Sequence, residues 1–129
     1  MTQLSTSVRT FVAPVVGSKW LRLAGGVCIA IIAVLSLVPR YGPGIDNGAA
    51  QGPVQHFVAY LVAAALIGLG ARQRQRVAIP IVAFAAYAGL LELLQFLAPG
   101  REPGLDGFLS SSLGAVAGTM LAFAFRQKT

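Results

Sequence analysis

Five residues of this chain carry side chains suited to acid–base or anion chemistry among mostly apolar neighbours: His56, Glu92, Gln95, Arg101 and Asp106. Glu92 and Gln95 interrupt the run YAGLLELLQFLAPGR, residues 87–101, and at a spacing of three they share a helical face with Ala88, four residues back. A carboxylate in such a run is costly unless it faces other helices or a water-filled cavity. His56 and Tyr60, four apart, share a face of their own. Arg40, Asp46 and the serines Ser110 and Ser111 complete the polar set. An imidazole and a carboxylate at one depth would act as an acid–base pair or a polar clamp. Arg101 would anchor a phosphate or carboxylate. One histidine without a nearby thiolate does not fit a zinc site, so neither metal nor cofactor is expected. Plainer readings stand beside these. Glu92 could simply tie helices together, Arg40 and Arg101 could be solvated charges at lipid headgroups, and a serine or Asp106 could cap a helix.

The elements that must hold these residues are membrane helices. Of 129 residues, 56% are hydrophobic and 11% charged. A soluble domain carries about 25% charged residues, so this chain has too few polar groups to cover a soluble core. Four stretches, Trp20–Val38, Val54–Ala71, Val77–Ala98 and Gly107–Phe125, each approach the roughly 20 residues that a helix needs to cross about 30 Å of hydrocarbon. Helix is required because open strands leave main-chain groups unsatisfied in lipid. Pro80 falls in the first turn of the third span, where its missing N–H costs little. The length suits one domain. Residues 1–19 form a cytoplasmic or interfacial N-terminal segment, for which disorder is an equal reading, and residues 20–129 the four-span transmembrane domain. The single Cys28 lies inside an apolar run and can form no internal disulfide.

Charge sets the orientation. Arg9, Lys19, Arg22, Arg72, Arg74, Arg76, Arg126 and Lys128 are eight of the ten basic residues, and all fall on one side of the alternating spans. The positive-inside rule puts both termini in the cytoplasm. All four acids and the histidine fall on the other side. The net charge of +6 is this asymmetry. No soluble basic face interleaves with aromatic residues, so no nucleic-acid partner is expected. The expected fold is an all-α membrane protein, a four-helix transmembrane bundle with both termini cytoplasmic.

Loop lengths predict depth. The short Arg72–Arg76 loop forces an antiparallel hairpin, and His56 and Glu92 each lie 18 residues from its midpoint Arg74, so they should be level. The next connection turns near Glu102 or Pro103, which places Gln95 opposite Ser110 or Ser111. In the last span Ser110, Gly114, Gly118 and Ala122 recur every four residues, a ridge of small side chains on which another helix can pack closely.

HFVAY (His56 to Tyr60), YAGLLELLQFLAPGR (Tyr87 to Arg101) and LDGFLSSSLGAVAG (Leu105 to Gly118) together resemble the VanZ-like family of small bacterial membrane proteins, over roughly Leu35 to Phe125. The family pattern is a histidine and an aromatic at the start of one helix, Glu-x-x-Gln and an outer Arg on the next, then Asp and Asn before a Gly-rich helix. The resemblance carries over His56, Glu92, Gln95, Arg101 and Asp106. It departs at Gly52–Gln55, which replaces an Asp-Lys, at Ser111, which replaces the Asn, and in the spacing of Asp106. It implies a protein of the bacterial inner membrane and supplies no reaction.

Three functions follow as expectations. The polar set binds or acts on a cell-envelope ligand at the outer leaflet, such as a lipid headgroup, a cell-wall precursor or a glycopeptide. Alternatively, the chain is a non-catalytic accessory subunit of a larger membrane complex. A transporter would require these four short helices to oligomerise.

Overall fold

The structure, a computed structural model, describes residues 15–39, 51–72 and 76–128. Four helices carry the described residues: α1 Lys19–Leu37, α2 Gln51–Gly70, α3 Ala78–Gln95 and α4 Leu105–Lys128. There is no strand among them. All four are long and apolar enough to cross a membrane. Residues 1–14, and with them Arg9 and most of the N-terminal segment, lie outside the described residues, as do Arg40, Asp46 and Arg74.

The helices alternate in direction, which creates two poles. At one pole lie the start of α1, the end of α2, the start of α3 and the end of α4, with Lys19, Arg22, Arg72, Arg76, Arg126 and Lys128. At the other lie His56, Glu92, Gln95, Arg101, Asp106, Ser110 and Ser111. Large aliphatic side chains between the poles, among them Val27, Leu90 and Leu121, point outward, as lipid-facing residues do. The interior is built from Ile32, Tyr60, Ala63, Ala64, Phe84, Ala88, Leu91 and Ala115. Tyr60 stands edge-on to Phe84 at 6.1 Å.

The closest pairing is α2 with α4, because glycines let the backbones meet. A Cβ at Gly114 would strike the Phe57 carbonyl, and one at Gly118 the Leu61 carbonyl and, at 3.0 Å, the Ala65 nitrogen. The small-residue ridge therefore packs inside the bundle, but its phase differs from the expected one. Gly107, Ser111, Gly114, Ala115, Gly118, Thr119 and Ala122 are buried, while Ser110 is not. A strict four-residue count drifts from the true 3.6-residue turn, so Ser111 replaces Ser110 on the packed face. At Gly25 α1 meets α2 on Ile67. The expected α2–α3 hairpin is antiparallel, yet the backbone of α3 runs closer to α4 than to α2, which α3 meets through side chains, Phe84 and Tyr87 against Tyr60. The Phe84 ring stands between α3 and Tyr60 of α2, where the glycines of α4 admit closer contact.

Register between α3 and α4 also differs from the loop count. Phe108 lies against Gly89, and the Glu92 carboxylate lies against Gly107. Gln95 therefore sits about two helical turns farther out than Ser110 or Ser111. The turn is not symmetric about Glu102. The last residues of the predicted third span form tight i→i+3 bonds, Phe96 N–H to Leu93, Leu97 N–H to Leu94 and Ala98 N–H to Gln95. Gly100 then takes a left-handed φ of 73° that an L side chain rarely adopts. The chain reverses earlier than the count assumed, and Glu92 lies three residues from the end of α3.

Candidate functional site

Charged side chains at both poles close helix ends that belong to other elements. A helix leaves its last four carbonyls and first four N–H groups without internal partners, and in lipid these need donors and acceptors from elsewhere. The final turn of α2 contains no basic residue. Arg126 Nη1 donates to Gly68 O at 2.9 Å and Arg22 Nη1 to Gly70 O at 2.7 Å, and the Gly17 N–H donates to Leu69 O at 2.8 Å. Gly17 makes this approach with a φ of 79°, which favours glycine. Arg22 Nη1 also donates to Gly17 O at 3.1 Å, which locks the turn.

At the polar pole Arg101 treats α1 in the same way. Its Nε donates to Val38 O at 3.1 Å and its Nη2 to Leu35 O. Glu92 performs the converse task for α4. The Gly104 carbonyl accepts the first helical bond, from Phe108 N, so Gly104 is the N-cap. Glu92 Oε2 accepts the Gly104 N–H at 3.0 Å. In a capping box that bond is made by a Glu or Gln three residues into the helix. Here that position is Gly107, and a Cβ there would collide with Glu92 Oε1. The carboxylate of α3 thus occupies the space left by the missing side chain of α4, at the positive end of the helix dipole. Asp106, expected as a site residue or cap, is exposed in the first turn of α4. Its main-chain carbonyl accepts from Ser110 Oγ at 2.7 Å, so neither side chain faces the bundle interior.

His56 differs from these charged groups because its contact is to another side chain. His56 Nδ1 and Ser111 Oγ are 3.2 Å apart. Ser111 and Tyr60 are each only 1% exposed. The Tyr60 ring lies 6.2 Å from that of Tyr87. Tyr87 in turn donates to Ile29 O at 2.7 Å and ties α3 to α1. His56 and Glu92 meet α4 about one turn apart, at Ser111 and at Gly107.

Next to this cluster is a cavity of about 120 Å³ lined by Ile32, Leu35, Ser36, Gln55, His56, Ala59, Tyr60 and Arg101. It brings together His56, Tyr60 and Arg101 from the predicted set. Glu92, Asp106, Ser110 and Ser111 are not among its described lining residues, and Gln95 is buried elsewhere on α3. Ser36 and Gln55 line it without having been singled out by the sequence. Ser36 carried a signal, a polar residue one turn from the end of an apolar span, and it is buried. Such a volume is far below the roughly 300–1,000 Å³ of a drug-sized site and well above the 10–15 Å³ that one water needs. It suits a small polar group with the remainder of its molecule outside. Compared with protein-family models, curated proteins and solved structures, the chain matches none.

Proposed function

We propose that this is a four-span, VanZ-like protein of the bacterial cytoplasmic membrane whose polar pole binds a small group of a cell-envelope ligand, a lipid headgroup or the head of a lipid-linked cell-wall precursor. The observation that carries this reading is the cavity in which His56, Tyr60 and Arg101 converge with Ser36 and Gln55. Its size favours a headgroup over a whole glycopeptide. Both termini are cytoplasmic in this reading, supported by the basic residues gathered at the pole where Lys19 and Lys128 lie. A Cys placed at position 102 should then react with an impermeant thiol reagent added outside cells, and a Cys at 76 should not. The reverse pattern overturns the orientation.

Mass spectrometry of the protein purified in mild detergent tests the ligand. The parent should retain an envelope lipid or precursor, and a folded His56→Phe variant should lose it. Equal retention by both, or no ligand on the parent, overturns the reading. One observation favours a non-catalytic accessory subunit instead: Arg22, Arg101, Arg126 and Glu92 all close helix ends, which stabilises a bundle without chemistry. Copurified membrane proteins in place of a ligand would support that alternative.

A further inference from the structure

We propose that the basic pole seats one anionic phospholipid, with its phosphate against Arg72, Arg76 and Lys128 and an acyl chain in the cleft between α2 and α3. Midway along the bundle the Phe84 ring fills the space between these two helices, edge-on to Tyr60. Pro80 lies four residues earlier, on the same face of α3 and nearer the basic end, and its small ring reaches less far. Facing it, α2 and α4 present small residues, with Gly68 close against Ala122. The cleft that remains is a cavity of about 40 Å³, and Gly68, Ala71, Val77, Pro80, Ala122 and Phe123 give it a largely apolar wall. Such a volume cannot enclose a headgroup. It suits a length of acyl chain, with the headgroup outside.

Positive charge gathers where that headgroup would lie. Ala71 and Val77 line the cavity, and their chain neighbours Arg72 and Arg76 are exposed. Arg126 also lines it, and Lys128 is exposed two residues further on. Arg22 and Arg126 donate to carbonyls of α2, and Lys19 Nζ stands 5.2 Å from the centre of the Trp20 ring. In sequence, all four acids, Asp46, Glu92, Glu102 and Asp106, fall in or beside the connections of the other pole. A membrane thickness of about 30 Å separates the two poles. No aspartate or glutamate of this chain can therefore neutralise Arg72, Arg76 and Lys128, and the counter-charge must come from another molecule. Trp20, 69% exposed at the same pole, is the kind of aromatic that sits at headgroup level. A phosphate at that level can take two parallel bonds from one guanidinium. Basic pockets between membrane helices bind anionic headgroups in this way.

The full chain in mild detergent is titrated with phosphatidylglycerol and, separately, with phosphatidylcholine, and bound lipid is counted by native mass spectrometry. Phosphatidylglycerol should be retained more tightly, and the preference should shrink as ionic strength rises. Arg72→Gln combined with Arg76→Gln should weaken phosphatidylglycerol about thirty-fold, the usual contribution of two basic residues at a membrane surface, and leave phosphatidylcholine unchanged. Val77→Phe keeps every charge but fills the cleft, and it should weaken phosphatidylglycerol too. Equal retention of the two lipids, a preference insensitive to ionic strength, or a charge variant that holds phosphatidylglycerol as the parent does overturns the proposal. Undiminished retention by Val77→Phe overturns the seat in the cleft. The salt-sensitive lipid should remain on His56→Phe. If it is lost there, it belongs to the polar pole, and the site at the basic pole is overturned.

Discussion

The two poles of the bundle solve the same problem with opposite partners. At the basic pole Arg22, Arg126 and the Gly17 N–H converge on three successive carbonyls at the end of α2. At the polar pole one end of each kind is closed, carbonyls of α1 by Arg101 and the N-cap N–H of α4 by Glu92. Charge alone therefore does not distinguish a functional region here, since at both ends it compensates helix termini that lipid cannot hydrate. What sets the polar pole apart among the described residues is a contact between two side chains. It has a side chain bonded to a side chain, His56 to Ser111, beside a cavity of about 120 Å³, against about 40 Å³ at the basic pole. The candidate site thus centres on His56, Tyr60 and Ser111, with Glu92 in a supporting position.

Joining the poles is the α2–α4 contact, and breaking it should have the largest effect. A leucine at position 118 would have to enter space held by the Leu61 carbonyl and the Ala65 nitrogen, both main-chain atoms. Overpacking usually costs about 1–3 kcal/mol when side chains can move, and main-chain atoms cannot move without displacing the helix. Gly118→Leu should therefore cost at least the upper end of that range, about 3 kcal/mol, seen as loss of the folded species in detergent thermal melts. A variant as thermostable as the parent would mean that the poles are not joined through this crossing.

An intermediate effect should come from the cap on α4. Glu92→Ala removes the acceptor at Gly104 N and should cost about 1 kcal/mol, as loss of an N-cap does. Gly107→Glu alone should also destabilise, because its side chain meets the Glu92 carboxylate. Together the two changes restore, within α4 itself, the half of a capping box in which the third helical residue accepts the N-cap N–H; Gly104 has no side chain to supply the other half. The double variant should be more stable than the sum of the single losses predicts, measured by the same thermal melts as a non-additive cycle. Additive losses would show that Glu92 does not serve the helix end.

Much of this arrangement was legible in the sequence. Span lengths, Pro80 in the first turn of α3 and the gathering of polar residues at one pole follow from apolar runs and alternation. Ala88 and Gln95 do lie on the buried face of α3. Three features were not legible, each for a physical reason. The ridge on α4 was one residue out of phase at Ser110, because a count of four overruns the helical turn. Gln95 was placed too deep on α4, because loop counting assumes a symmetric turn and Gly100 reverses the chain early. The role of Glu92 was hidden because its determinant is an absence, the side chain that Gly107 lacks, which in sequence reads only as part of a turn-like GLDG.

The smallest effect sharpens the comparison from the basic side. Thr119 is buried on α4 beside the small cavity lined by Gly68, Pro80 and Arg126, and its Oγ1 has no hydrogen-bond partner among the described residues. A buried hydroxyl without a partner carries a desolvation cost of about 1–3 kcal/mol, and an apolar group of the same shape removes it. Valine has that shape. Thr119→Val should therefore raise the thermal midpoint slightly, by less than Glu92→Ala lowers it, and leave ligand retention at the polar pole unchanged. Ser111→Ala also removes a buried hydroxyl, but one bonded to His56, and it should lower ligand retention without that gain in stability. If Thr119→Val instead destabilises the protein or strips the ligand, the hydroxyl of the basic pole has a partner that matters, and the functional contrast between the two ends fails.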